Sequence, residues 1–383
     1  MKKHIKLLVV LGIILVGSFS FYLFNGYKKD ALVYENNKIM PSSSGIAMML
    51  ETSAGSGNYE MTTRSEWPTE GYVFNANLSK CENGSELSWD NENKKVLMSG
   101  NKSDKCYVYF DVYVKPTIAN TCSSGTNLAT CIKTFGDKGS SVSNIYHHDA
   151  SLTNGAGDNS YRFAGASDQV NNYVCFGSTT PCPADNLYRI IGVFGDKVKL
   201  IKSTSVGTKA WDSDDSNTWS TSSLNTYLNN EFINAFDETT KGKIAETTWK
   251  VGGNTYNNIA KQPAKTAYQS EINSSPSVIK KIGLMYASDY GFAAAPSAWT
   301  TNLYDYNGAA IKSANWMYLG AYEWTISRNA DYSNFAFIVN GTGYVAGGGN
   351  VTNAGGVRPV FSLSSFVNYA SGSGSATDPI LVN

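Results

Sequence analysis

The tightest constraint in this chain is covalent. Cys81, Cys106, Cys122, Cys131, Cys175 and Cys182 form three neighbouring couples, and no cysteine follows position 182. Each couple encloses a segment rich in turn formers: "CENGSELSWDNENKKVLMSGNKSDKC", "CSSGTNLATC" and "CFGSTTPC". An even set of cysteines at such spacings reads as a disulfide framework, with sequential pairing the simplest of several connectivities. A zinc site would need C-x-x-C spacing with further Cys or His ligands, and no couple has it. Disulfides persist in oxidising compartments, so the framework predicts an exported protein.

The N-terminus predicts the same. Lys2, Lys3 and Lys6 precede "LLVVLGIILVGSFSFYLF", an uncharged run over residues 7–24. Such a run is just long enough to span a bilayer as a helix, and the lysines favour a cytoplasmic N-terminus. No A-x-A-like cleavage site follows, so an uncleaved anchor is preferred over a removed signal peptide. The expectation is a transmembrane helix within residues 1–29 and a single-pass protein whose partners include the membrane. With 31 basic and 31 acidic side chains, the chain lacks the excess of clustered cations that binding nucleic acid requires.

Three further regions follow. Residues 30–115 alternate short strand-like runs with turns. In "CYVYFDVYV" the side chains of Tyr107, Tyr109, Asp111 and Tyr113 share one face, and Val108, Phe110, Val112 and Val114 the other. That period of two is a strand signal, and the region reads as a small β-sandwich-like module. Residues 116–160 are rich in Ser, Gly, Asn and Asp and read as a linker. Residues 161–383 mix a few helices with many short strands, an α+β domain. Two apolar runs flank Gly195 and Asp196, a hairpin signal. Leu224, Tyr227, Leu228, Phe232, Ala235 and Phe236 recur at three- and four-residue steps, giving a helical face capped at Ser222 or Ser223.

Candidate chemistry is sparse. His147, His148 and Asp149 are adjacent, but successive side chains of an extended chain point apart, and the only other histidine is His4. They read as a solvated loop. "DSDDSN", residues 212–217, has the acidity of a calcium loop but places Asn217 and Ser223 where Gly and Glu belong. It reads as an acidic loop. No G-x-S-x-G elbow and no phosphate-binding glycine loop occurs, so no catalytic residue, metal or cofactor is assigned and the chain is not expected to be an enzyme. Trp299, Trp316 and Trp324 read as core. Arg328 and Arg358 end or follow apolar runs, where a guanidinium ties loop carbonyls together.

At "EWTISR … FAFIV … GVRPVFSL" the sequence resembles exported bacterial proteins with a C-type-lectin-like, formylglycine-generating-enzyme-like C-terminal domain, including variable proteins of diversity-generating retroelements. The resemblance spans residues 161–383, with "NLYRIIGVF", "KIGLMYASDY" and "NWMYLGAYEWTISR" as framework segments. It implies a surface that varies by adenine mutagenesis of Asn codons. Lys, Glu, Gln, Met and Trp lie outside the reach of such changes, and none occurs from Ser327 onward. The stretch "GYVAGGGNVTNAGGVRP" then reads as one draw from a repertoire. The calcium-binding E-P-N, Q-P-D and W-N-D motifs of sugar-binding lectins are absent, as are the C-terminal cysteines of formylglycine-generating enzymes.

The resemblance implies a ligand-binding, adhesive or recognition protein of the bacterial cell membrane, with its C-terminal domain outside. Its partner would be an unknown protein or surface ligand. Its binding face would comprise Asn329, Asp331, Tyr332, Phe335, Asn340, Thr342, Tyr344, Asn350, Thr352 and Asn353. The alternatives are a structural, pilus-like subunit and, third, an extracellular hydrolase.

Overall fold

The computed structural model describes residues 45–101 and 103–383. The chain divides after Lys115 into two compact units, Met1–Lys115 and Pro116–Asn383. The fold is α+β with several mixed sheets.

In the first unit, strand Ile46–Glu51 runs parallel to Cys106–Val112 and antiparallel to Tyr59–Thr62. The alternation in Cys106–Val112 has a direct structural outcome. Cys106, Val108 and Phe110 are buried, while Tyr107 is exposed. The hairpin of Glu86–Asp90 with Lys95–Ser99 contributes Val96 and Met98 to the same core, beside Met48 and Trp67.

The three disulfides join neighbours: Cys81 to Cys106, Cys122 to Cys131, and Cys175 to Cys182. The second bridge ties down a segment expected to be linker. Residues 116–160 in fact carry a helix, Leu128–Gly136, whose Leu128, Ile132 and Phe135 enter the core of the second unit. Composition hid this helix because its apolar face is short and embedded in Ser- and Gly-rich sequence.

At the centre of the second unit is the hairpin of Leu187–Phe194 with Lys197–Lys202, turning at Gly195 with φ +63°. It lies within a nine-stranded sheet that also takes in Val360–Ser362, Tyr173–Cys175 and Ile380–Val382. A second, six-stranded sheet is built on Glu323–Asn329, Phe335–Val339 and Val345–Asn350, paired antiparallel in that order. Ser222 caps the expected helix through Asn225 N, and the turn Tyr227–Phe232 widens to π geometry. Trp211 and Trp219, their rings tilted against each other with centroids 5.1 Å apart, are both buried.

The glycine-rich stretch is a strand. In Val345–Asn350, Val345, Gly347 and Gly349 are buried, and Gly348 is exposed. A Cβ at Gly349 would stand 2.7 Å from the Trp324 ring and 2.7 Å from Ile338. At Gly355 it would stand 2.6 Å from Trp324 Nε1. These glycines make room for an indole; they are not freely variable loop positions.

The structure also corrects the expected topology. Among the described residues, no helix is long and apolar enough to cross a membrane. The apolar run 7–24 lies outside the described residues. The described fold thus carries no transmembrane helix, and the membrane as a partner and the single-pass localisation are not taken further.

Candidate functional site

The ten residues expected to form one binding face fall at two ends of the Phe335–Val339 and Val345–Asn350 hairpin. Asn329, Asp331, Tyr332, Phe335, Asn350, Thr352 and Asn353 lie at one end, where Phe335 pairs with Asn350. Asn340, Thr342 and Tyr344 lie at the turn beyond Val339. Five residues of strand, roughly 17 Å, separate them.

At the turn end, Asn340 Oδ1 accepts from Thr342 N and Thr342 Oγ1, at 2.8 and 3.0 Å. Tyr344 packs edge-on against Tyr304 at 5.1 Å between ring centroids. At the other end, Asn329 is buried. It donates to Gly347 O at 2.7 Å and accepts from Asp331 N at 2.7 Å, so it belongs to the frame. Asn350 Oδ1 accepts from Thr352 N and Thr352 Oγ1, at 3.0 and 2.6 Å. Tyr332 is 59% exposed and leans on Phe335, their centroids 5.2 Å apart.

Asn217, from the acidic loop, organises this end. Its buried side-chain amide lies 2.7 Å from Asn329 O, 2.8 Å from Tyr332 O and 2.7 Å from Phe335 O. Two protons shared among three carbonyls hold the whole 329–335 loop. Its own Oδ1 accepts from Arg328 Nη1 at 3.2 Å, and Arg328 Nε donates to Val251 O at 3.1 Å. The acidic loop is thus a brace. Asp212 Oδ1 accepts from Ser223 N at 2.9 Å, and Asn334 Nδ2 donates to Asp215 Oδ2 at 3.3 Å. No local pattern marks Asn217 for this work, because its partners lie more than a hundred residues away.

The strand entering the loop is anchored from behind by Glu271 of helix Ala264–Ile272. Its carboxylate accepts from Ala287 N at 2.9 Å and Ser288 N at 3.2 Å, and takes a short hydrogen bond from Ser327 Oγ. Burial pushes this carboxyl up from 4.5 to about 7, against the pull of those donors. The folded chain therefore holds a proton there that the unfolded chain releases between pH 4.5 and 7. Stability from this group is full below pH 4.5 and declines as pH rises through 7. His148 acts in the opposite sense. Buried against Phe292 and Trp299, it is held down from 6.5 to about 2, chiefly by desolvation. The comparison that isolates Glu271 is wild type minus Glu271→Gln. That difference in unfolding free energy is expected to fall by on the order of 3 kcal/mol across the window, measured by urea titration at a series of pH values. A pH-independent difference would refute it.

His148 also departs from the solvated loop expected of it. It is fully buried, and its Nδ1 accepts from Ala156 N at 2.9 Å. His147 remains near the surface, 3.5 Å from Asp149. Among the described residues, no group of three or more His, Cys, Asp or Glu side chains is placed to hold a metal ion.

A family model described as Domain of unknown function (DUF6273) matches residues 195–365. That span covers the central hairpin turn through the Glu323–Asn329, Phe335–Val339 and Val345–Asn350 strands, and less than half of the chain. No curated protein and no solved structure matches. The description of that family names no fold or activity, and the lectin-like, variable-protein resemblance is not taken further.

Proposed function

We propose that this protein is an exported binding protein that engages a protein ligand through the Tyr332 end of its six-stranded sheet. One observation carries the reading. Asn217 fixes the backbone on both sides of Tyr332, yet the ring itself is largely in solvent. An exposed large aromatic on a rigid loop loses little conformational entropy on binding, the economy that makes Tyr a frequent contact residue. Phe335 backs the ring, and Asp331, its neighbour in sequence, and Asn353, at the same end of the hairpin, are exposed. The polar side chains of Asn217, Asn329 and Asn350 spend their hydrogen bonds on the local backbone, which suits presentation of a surface rather than catalysis. Three disulfides support export.

The test is an overlay of biotinylated full-length chain on arrayed extracellular proteins, with Tyr332→Ala and Asp331→Ala variants in parallel. The expected result is a retained protein whose affinity drops at least tenfold with Tyr332→Ala, while the melting temperature is unchanged. Retention that ignores both substitutions, or no retained protein, overturns the reading. Self-assembly without a retained protein would favour a structural subunit.

A further inference from the structure

A cavity of about 380 Å³ opens beside the central hairpin of the second unit, within the size range of small-molecule sites. Its floor comes from Tyr188 and Lys202, directly paired across the two strands. Phe232 and Phe236 supply an apolar wall, their rings 5.6 Å apart. Asp185 stands at the rim, just after the loop closed by the Cys175–Cys182 disulfide.

Lys202 makes this cavity more than a void. The residue is only 4% exposed, and its Nζ is buried without a hydrogen-bond partner. Its nearest aromatic face is Tyr188, 5.7 Å from Nζ to the ring centroid. An ammonium removed from water without an acceptor is costly, and burial depresses its proton affinity. Proteins rarely keep such a group unless something completes it. Asp185 forms no ion pair with it, although its charge favours the ammonium from a distance, and it has no hydrogen-bond or ion-pair partner of its own among the described residues.

We propose that this cavity binds a small apolar amino acid, with the ligand carboxylate on Lys202 Nζ and its hydrocarbon side chain against Phe232, Phe236 and Tyr188. The ligand ammonium faces Asp185. The charges select this class. One cation at the floor matches a monoanion, and the two carboxylates of the lining, Asp185 and Asp237, repel a dianion such as phosphate. Asp237 is already engaged by Thr240 N and Oγ1, which leaves Asp185 to attract an amine. The aromatic wall excludes strongly polar side chains. This site is independent of the Tyr332 surface, and either can fail without the other.

Isothermal titration calorimetry on the full chain at pH 7 tests it, using leucine, phenylalanine, isovalerate and leucinamide up to about 10 mM, enough to saturate a millimolar site. Leucine or phenylalanine is expected to bind, with isovalerate weaker and leucinamide at least tenfold weaker. Lys202→Met should weaken leucine and phenylalanine at least tenfold, with a urea midpoint at or above wild type because an unpaired charge is gone. Phe232→Trp, which fills the cavity, should block binding independently. No heat from leucine or phenylalanine, leucinamide matching leucine, or undiminished binding in Lys202→Met overturns the proposal. Equal binding of isovalerate and leucine overturns the amino-acid class.

Discussion

Arg358→Met is expected to lower the unfolding free energy by about 3–5 kcal/mol, the cost of stranding a buried charge. Arg358 Nη2 donates to Glu323 Oε2 at 2.9 Å and to Met317 O at 2.8 Å. Its Nε lies 2.6 Å from Glu323 Oε1, an ionic contact rather than a well-directed hydrogen bond. Both side chains are almost fully buried. Burial raises the Glu323 carboxyl, and the guanidinium opposes that rise. Without Arg358 the carboxyl rises further, so the folded state holds its proton more tightly than the unfolded state. The loss of stability should therefore grow as pH increases. The double variant Glu323→Leu with Arg358→Met should recover most of the loss, because an apolar pair of similar volume avoids desolvating two charges. Chemical denaturation of the three variants decides. A single-variant loss below about 1 kcal/mol would place this pair among weakly coupled ions instead.

The second large effect is expected at Trp324. Trp324→Ala should cost about 3–5 kcal/mol through the cavity it leaves. The indole is 1% exposed and donates to Lys209 O at 2.9 Å. It also lies over Gly349 and Gly355. Gly349→Ala should therefore cost about 1–3 kcal/mol by overpacking. Gly348→Ala, one residue away, meets nothing within 4 Å and should stay within about 0.5 kcal/mol, as should Tyr332→Ala. Thermal melts of the four variants give the order directly. If Gly349→Ala is as well tolerated as Gly348→Ala, the glycines are not there to seat the indole. If Tyr332→Ala melts as early as Trp324→Ala, that ring is core and the binding surface is lost.

Tyr332 shows how the candidate surface was legible in sequence and where legibility stopped. An aromatic residue among Asp, Ser and Asn is a surface signal, and the ring is exposed. Asn329 belongs to the same polar stretch but is buried, its amide donating to Gly347 O. The family resemblance puts Tyr344 on one face with Tyr332. A hairpin sends it to the opposite end, against Tyr304.

Local chemistry in the sequence determined whatever depends on near neighbours. The three disulfides join cysteines 25, 9 and 7 residues apart. The Gly195 turn follows from a backbone preference, the Ser222 cap from a hydroxyl three residues from its donor, and the Cys106–Val112 strand from a period of two. Tertiary structure alone decided what depends on occupied space and distant partners. Glycine in Val345–Asn350 reads as a turn former until Trp324 and Ile338 are seen filling the room its missing side chains leave. Asn217 is an ordinary polar residue until three carbonyls from beyond position 328 converge on it. Lys202 ends its strand in the phase of Val198 and Leu200 rather than of Lys197 and Lys199, and the packing of Phe232 and Phe236 beside it shows that ammonium to be a buried, unpaired charge. Periodicity and turn chemistry are written along the chain, whereas volume exclusion and desolvation arise only when distant segments meet.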